Sequence, residues 1–244
     1  MKILSTVALL GAMVVVGTPA AAQINTSAGS FVAMPTLDNS GTPYWNNFST
    51  DDATGTCNIG FILTGAGAGT ACGSATTNYL AGTGTYFNSS NVTFNFSAGR
   101  YQVRVYNNIA GLQPPAQSLV ATNGSQTDVL YNQFSVLPTG NMTIDFATDF
   151  WLEGQSFNPS GATIRSDMLY GSETMSRWAL FTNGDGIIYG GFEDNASGDS
   201  DYNDIVFSIQ NVARIEVPEP GSFALVGLGL FGLAAASRRR STKA

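Results

Sequence analysis

The sequence predicts an all-β protein, an antiparallel β-sandwich of jelly-roll-like type, flanked by two short apolar ends. Three observations carry that expectation. Between residues 23 and 217 apolar side chains recur with period two, in runs of only a few residues. Clusters of Gly, Asn, Ser, Thr and Pro break those runs at short intervals. Helical periodicity is absent from the same region, so sheets must bury their apolar faces against one another.

Residues 23–90 are dense in Thr, Gly, Asn and Ala and predict outer strands and loops of the same domain. In residues 91–216 the strands become clearer. In "VTFNFSAGRYQVRVY", Val92, Phe94 and Phe96 alternate, "SAGR" turns, and Tyr101, Val103 and Val105 alternate back, which predicts a hairpin. "NNIAGLQPPAQSLVATNGSQ" follows as a long loop. "NMTIDFATDFWLE" predicts one strand with Met142, Ile144, Phe146, Phe150 and Leu152 inward and Asp145, Asp149, Trp151 and Glu153 outward. "RWALFT", the turn "NGDG" and "IIYGGF" predict a second hairpin, and "DIVFSIQ" turns Ile205, Phe207 and Ile209 inward.

Both ends stand apart from this fold. Residues 1–22 combine Lys2, an uncharged apolar run from Ile3 to Val16, and small residues at Ala20 and Ala22, the layout of a secretory signal peptide. Residues 217–244 begin with Val217-Pro218-Glu219-Pro220, continue as an apolar stretch, and end in Arg238, Arg239, Arg240 and Lys243. As a helix, Ser222 to Ser237 would reach roughly 24 Å, short of the ~20 residues of a standard membrane span. Its basic tail would stay cytoplasmic.

The order "VPEP", apolar helix, arginine cluster resembles the tripartite PEP-CTERM sorting signal of Gram-negative bacteria. The resemblance implies a chain that meets the inner membrane transiently through its C-terminal helix. It also implies cleavage near Pro218-Glu219-Pro220 by an exosortase and delivery to the cell surface or exopolysaccharide matrix.

Five of the ten basic residues and one of the seventeen acids lie in these ends, so residues 23–217 carry five arginines, sixteen acids and a net charge of −11. That surface excludes nucleic acid, whose affinity comes from Lys and Arg on phosphates. It favours divalent cations, or matrix components bridged by them. Cys57 and Cys72 are the only cysteines, and in an exported chain they are expected to pair. Closing so short a loop stabilises a fold by about 3 kcal/mol on chain-entropy reasoning.

The chemistry-bearing stretch is "GFEDNASGDSDYNDIVFSI". Glu193, Asp194, Asp199, Asp201 and Asp204 repel one another there, with no basic residue between them. Two readings stand. A solvated acidic turn guards an edge strand from aggregation, or the acids and Asn203 converge on Ca²⁺, an ion that takes six to eight oxygens. Asp199, Asp201 and Asn203 follow the D-x-D-x-N opening of an EF-hand loop, but Asp204 replaces the required Gly and Gln210 the final Glu. The loop is therefore not an EF-hand.

The surrounding "YGGFEDNASGDSDYNDIVFSI" resembles the signature of the domain of unknown function 4114 family, with likeness extending from about residue 95 to 212. The matching positions are Phe192, Glu193, Asp194, Gly198, Asp199, Asp201, Tyr202, Asn203, Asp204, Val206 and Phe207. The resemblance implies a surface-located β domain that binds calcium, and no catalytic activity.

The chain is expected not to be an enzyme. It has no histidine, which removes Ser-His and Cys-His nucleophile pairs. Asp145, Asp149 and Glu153 share a strand face, but neighbouring acids would stand roughly 13 Å apart, beyond the spacing of paired-carboxylate glycosidases. The alternative function is a carbohydrate-binding module, in which Trp151 offers an aromatic platform and Asp149 and Glu153 bond sugar hydroxyls. The competing reading is that Trp151 packs under a loop or against a second sheet.

Overall fold

The computed structural model describes residues 24–47, 57–65, 79–80, 84–107, 118–132, 140–156, 158–195 and 200–212. Both expected end signals, residues 1–22 and 217–244, lie outside them. Of the two compact units, Met1–Ala213 and Arg214–Ala244, only the first contains described residues.

The first unit is an antiparallel β-sandwich. Its strands are β1 (Ile24–Thr26), β2 (Phe31–Ala33), β3 (Thr85–Phe87), β4 (Phe94–Phe96), β5 (Gly99–Asn107), β6 (Ser118–Thr122) and β7 (Thr127–Asn132). The chain continues through β8 (Met142–Phe146), β9 (Trp151–Gln155), β10 (Thr163–Arg165), β11 (Trp178–Thr182), β12 (Ile187–Phe192) and β13 (Ile205–Asn211). One sheet runs β2-β3-β11-β12-β13-β5-β8, a second β10-β9-β6-β7, and a short ribbon pairs β1 with β4.

Period-two alternation explains the main core. Tyr101, Val103 and Val105 from β5 and Phe207 and Ile209 from β13 meet Leu119, Ala121 and Leu152 from the four-stranded sheet, all buried. Aromatic rings fill the layer between the sheets: Phe150 stacks on Phe146 at 4.4 Å and on Phe96 at 5.2 Å between centroids.

A second core covers part of the opposite face of the seven-stranded sheet. It gathers Trp45, Ile59, Ile62, Leu63 and Leu80 over Ala179, Phe181, Tyr189 and Val206. Ile205 to Phe207 are consequently buried on both sides of the sheet.

The predicted β11–β12 hairpin across "NGDG" is present, with Trp178 opposite Phe192 and Thr182 opposite Ile188. Four expectations are corrected. β4 pairs with β1 rather than β5, so "SAGR" joins different sheets instead of closing a hairpin. The single strand expected over 142–153 is two, β8 and β9, which pair with β5 and β6 respectively. The long loop expected over 107–126 contains β6, which pairs with both β7 and β9. Finally, a helix exists: α1 (Ile59–Thr64), opened by the Asn58 side chain accepting from Phe61 N and closed by Gly65 at φ 71°.

Candidate functional site

The acidic loop spans the open end of the β12–β13 pair. Phe192 lies opposite Ile205 in that ladder, so the residues just past β12 and just before β13 must face one another. Glu193, Asp194 and Asp204 do so: one carboxylate oxygen from each lies within 4.8 Å of the other two. All three are buried, at 4%, 6% and 4% exposure. Asp194 N donates to Asp204 Oδ2 at 2.5 Å. The Glu193 carboxylate accepts from Asn195 N at 3.3 Å and Tyr202 N at 3.4 Å.

Asp201 and Asn203, expected beside these acids as ligands, stand outside the triad. Asp201 Oδ1 accepts from Asn203 N at 3.2 Å and Oδ2 from Asn203 Nδ2 at 2.6 Å. The same Asn203 amide reaches the Cys57 carbonyl at 2.5 Å, and Ile59 N donates to Asp201 O at 2.9 Å. Asp201 and Asn203 thus fasten the loop to the start of α1. Asp199, the remaining expected ligand, lies outside the described residues.

Tyr202 keys the loop into the second core. Its hydroxyl donates to Ser176 O at 2.7 Å, and its ring meets Tyr44 edge-on at 5.3 Å. Burial pushes its phenol well above the ordinary range, and Tyr44 and Glu193 add to the effect. Ser200 and Tyr202 hold φ of 58° and 59°, a conformation that costs a bulky L-residue on the order of 1 kcal/mol and persists only where surroundings impose it. Gly191 is part of that imposition. A Cβ there would collide with the Tyr202 carbonyl and with Ile59.

A cleft of about 330 Å³ opens beside the triad, lined by Glu173, Ser176, Arg177, Glu193, Ser200 and Tyr202 among others. Arg177, which is not among the site residues expected from sequence, is buried at 5% exposure. Its guanidinium bonds Glu173 at 2.7 and 3.0 Å, Ser156 Oγ at 3.3 Å and the Asn158 carbonyl at 3.1 Å. Ser156 Oγ donates in turn to Asp194 O at 2.6 Å, so the arginine braces the triad through the Asp194 backbone. The only sign in sequence was Glu173 four residues before Arg177.

The expected sugar platform is differently furnished. Trp151 is half-buried, its Nε1 donates to Glu153 at 2.8 Å, and the Arg165 guanidinium lies 3.9 Å from its ring centroid. One ring face is therefore already taken by a cation. Asp149 turns away to accept from Ala98 N at 3.1 Å. Cys57 is fully buried in the second core; Cys72, its expected partner, lies outside the described residues, as do Val217, Pro218, Glu219, Pro220, Arg238, Arg239 and Arg240. Among the described residues no helix is long and apolar enough to cross a membrane.

No curated protein and no solved structure matches the chain. Residues 216–240 match the PEP-CTERM protein-sorting motif. The chain is accordingly an exported protein, processed by an exosortase and sorted to the cell envelope or the extracellular surface.

Proposed function

We propose that the exported domain is a non-catalytic component of the cell surface or exopolysaccharide matrix whose acidic loop holds a structural Ca²⁺. One observation carries the reading: Glu193, Asp194 and Asp204 present oxygens within 4.8 Å of one another in a buried setting. Two oxygens bound at 2.3–2.6 Å to one Ca²⁺ lie no more than about 5 Å apart, so the triad has the spacing of a shared ion. Like charges brought together out of water cost free energy, and a hard divalent cation bound by carboxylates offsets that cost. The resemblance of residues 189–209 to the domain of unknown function 4114 pattern points to the same ion.

Glu193 and Asp194 would supply oxygens from the end of β12 and Asp204 from the start of β13, so the ion would clamp the two strands together. Asp199 remains a proposed further ligand, while Asp201 and Asn203 position the loop on α1. Removal of residues 1–22 and pairing of Cys57 with Cys72 belong to the same proposal, since each suits an exported fold. Mass spectrometry of the surface-located protein reads both directly.

Thermal unfolding of the full chain in detergent tests the ion. Affinities of extracellular calcium sites are on the order of 10⁻⁴ to 10⁻³ M. At ten times such a constant the folded state gains about 1.4 kcal/mol, roughly 3–6 °C for a domain of this size. That gain disappears in chelator and in Asp204→Asn. A melting temperature indifferent to calcium overturns the proposal.

A further inference from the structure

The second core covers only part of its face of the seven-stranded sheet, and the uncovered part is built unlike the rest of the surface. On β5, Gln102, Arg104 and Tyr106 alternate with the buried Tyr101, Val103 and Val105, so they point away from the main core. On β13, Ser208 and Gln210 alternate in the same way with Phe207 and Ile209. The ladder sets Arg104 opposite Ser208 and Gln102 opposite Gln210. With Asn141 and Ile187 these side chains line a groove of about 200 Å³.

Charge singles the groove out. Three of the four described arginines pair with a carboxylate: Arg100 with Asp145, Arg165 with Asp167 and Arg177 with Glu173. Arg104 is exposed and has no carboxylate partner among the described residues. Its guanidinium carbon lies 5.1 Å from the Tyr106 ring centroid, which holds the cation over the groove. The neighbouring acid, Asp185, is occupied within its own turn, accepting from Asn183 Nδ2 at 2.8 Å and Ile187 N at 3.0 Å. A cation with no carboxylate partner among the described residues, in a region of net charge −11, fits an anionic ligand.

The remaining walls define which anion. Tyr106 and Ser208 share a hydroxyl–hydroxyl bond at 2.8 Å. Gln102 Oε1 accepts from Asn141 Nδ2 at 3.3 Å, while Gln210 contributes a second amide and the half-buried Ile187 an apolar patch. Amides and hydroxyls both donate and accept, which suits a polyhydroxylated ring. The groove lies mid-sheet, between β5 and β13, where the backbone is already committed to the ladder. Peptides that bind by strand addition need a free edge. Its volume falls below the roughly 300 Å³ at which drug-sized pockets begin, so it suits a small unit of a larger chain.

We propose that this groove binds a carboxylate-bearing sugar unit, a uronic acid residue of an acidic polysaccharide, with Arg104 on the carboxylate and Gln102, Ser208 and Gln210 on ring hydroxyls. It shares no residue with the acidic loop, so it stands or falls apart from the calcium reading.

Titration calorimetry of the full chain in detergent, with galacturonic acid trimer as the probe, tests it. The trimer binds; Arg104→Gln weakens it by about tenfold or more, the scale of a charge-assisted hydrogen bond. The neutral galactose trimer is weakened comparably against the intact protein. Trp151→Ala leaves affinity unchanged, and unchanged melting of Arg104→Gln shows that its fold is intact. No binding of the trimer overturns the proposal. So does binding indifferent to Arg104→Gln, including binding that needs calcium, or equal binding of a triglutamate peptide.

Discussion

Between Asp145 and Glu153 three carboxylates stand on the outer side of β8, β9 and the bend that joins them; between Glu193 and Asp204 four are folded inside. The outer three are met near the surface, Asp145 by Arg100 at 3.3 Å, Asp149 by a backbone amide and Glu153 by an indole. The inner set is brought together by the β12–β13 ladder and braced from behind by Arg177, Ser156 and the start of α1. Acidity alone separates the two regions poorly. Strand pairing does so, because only the second region lies where two chain segments must converge.

The sharpest contrast between the regions lies in their arginines. Arg177→Met leaves Glu173 without its buried partner and strips Ser156 and Asn158 of a donor, so denaturant unfolding should show a loss of about 3 kcal/mol. Arg100→Met breaks a half-exposed pair and should cost under about 1 kcal/mol. Next in size, Gly191→Ala drives a methyl into the Tyr202 carbonyl and Ile59 and should cost about 2 kcal/mol by the same measurement. Equal effects of Arg177→Met and Arg100→Met would erase the distinction.

Asp204→Asn should abolish the calcium-dependent rise in melting temperature, whereas Asp149→Asn, on the outer face, should leave it intact. The smallest effect concerns high pH. Burial, with help from Tyr106, Asp185 and Tyr79, pushes the Tyr189 phenol up to about 12. A phenol whose folded value exceeds its unfolded value contributes fully below pH of about 10 and loses that contribution as pH rises from about 10 toward 12. Stability measured against pH should fall across that window, and Tyr189→Phe should flatten the fall.

Much of this was legible in the sequence. The β class, the "NGDG" hairpin and the buried residues of β13 follow from period two and turn chemistry. Pairing partners do not, because alternation says which side chains face inward and nothing about which strand lies alongside. Phe146 and Phe150 show the limit: the bend between them preserves even spacing, so two strands in different sheets read as one. α1 is six residues long, too short for helical periodicity, yet Asn58 and Gly65 bracket it as caps and were the available signal.

Within the site, the clustered acids were legible, but which of them converge was not. Asp201 and Asn203 occupy spacing suited to a ligand and instead bond each other and α1, through contacts with residues almost 150 positions away. Arg104 escaped notice for the opposite reason. Its significance lies in having no carboxylate partner among the described residues, and that appears only once Arg100, Arg165 and Arg177 are seen paired with theirs.

Terbium luminescence excited through tyrosine reads the proposed sharing of one cation by Glu193, Asp194 and Asp204, since Tyr202 adjoins the triad. Emission should rise to saturation, be displaced by calcium, survive Asp149→Asn and vanish in Asp204→Asn. Emission that is absent, or equally strong in both variants, would contradict it.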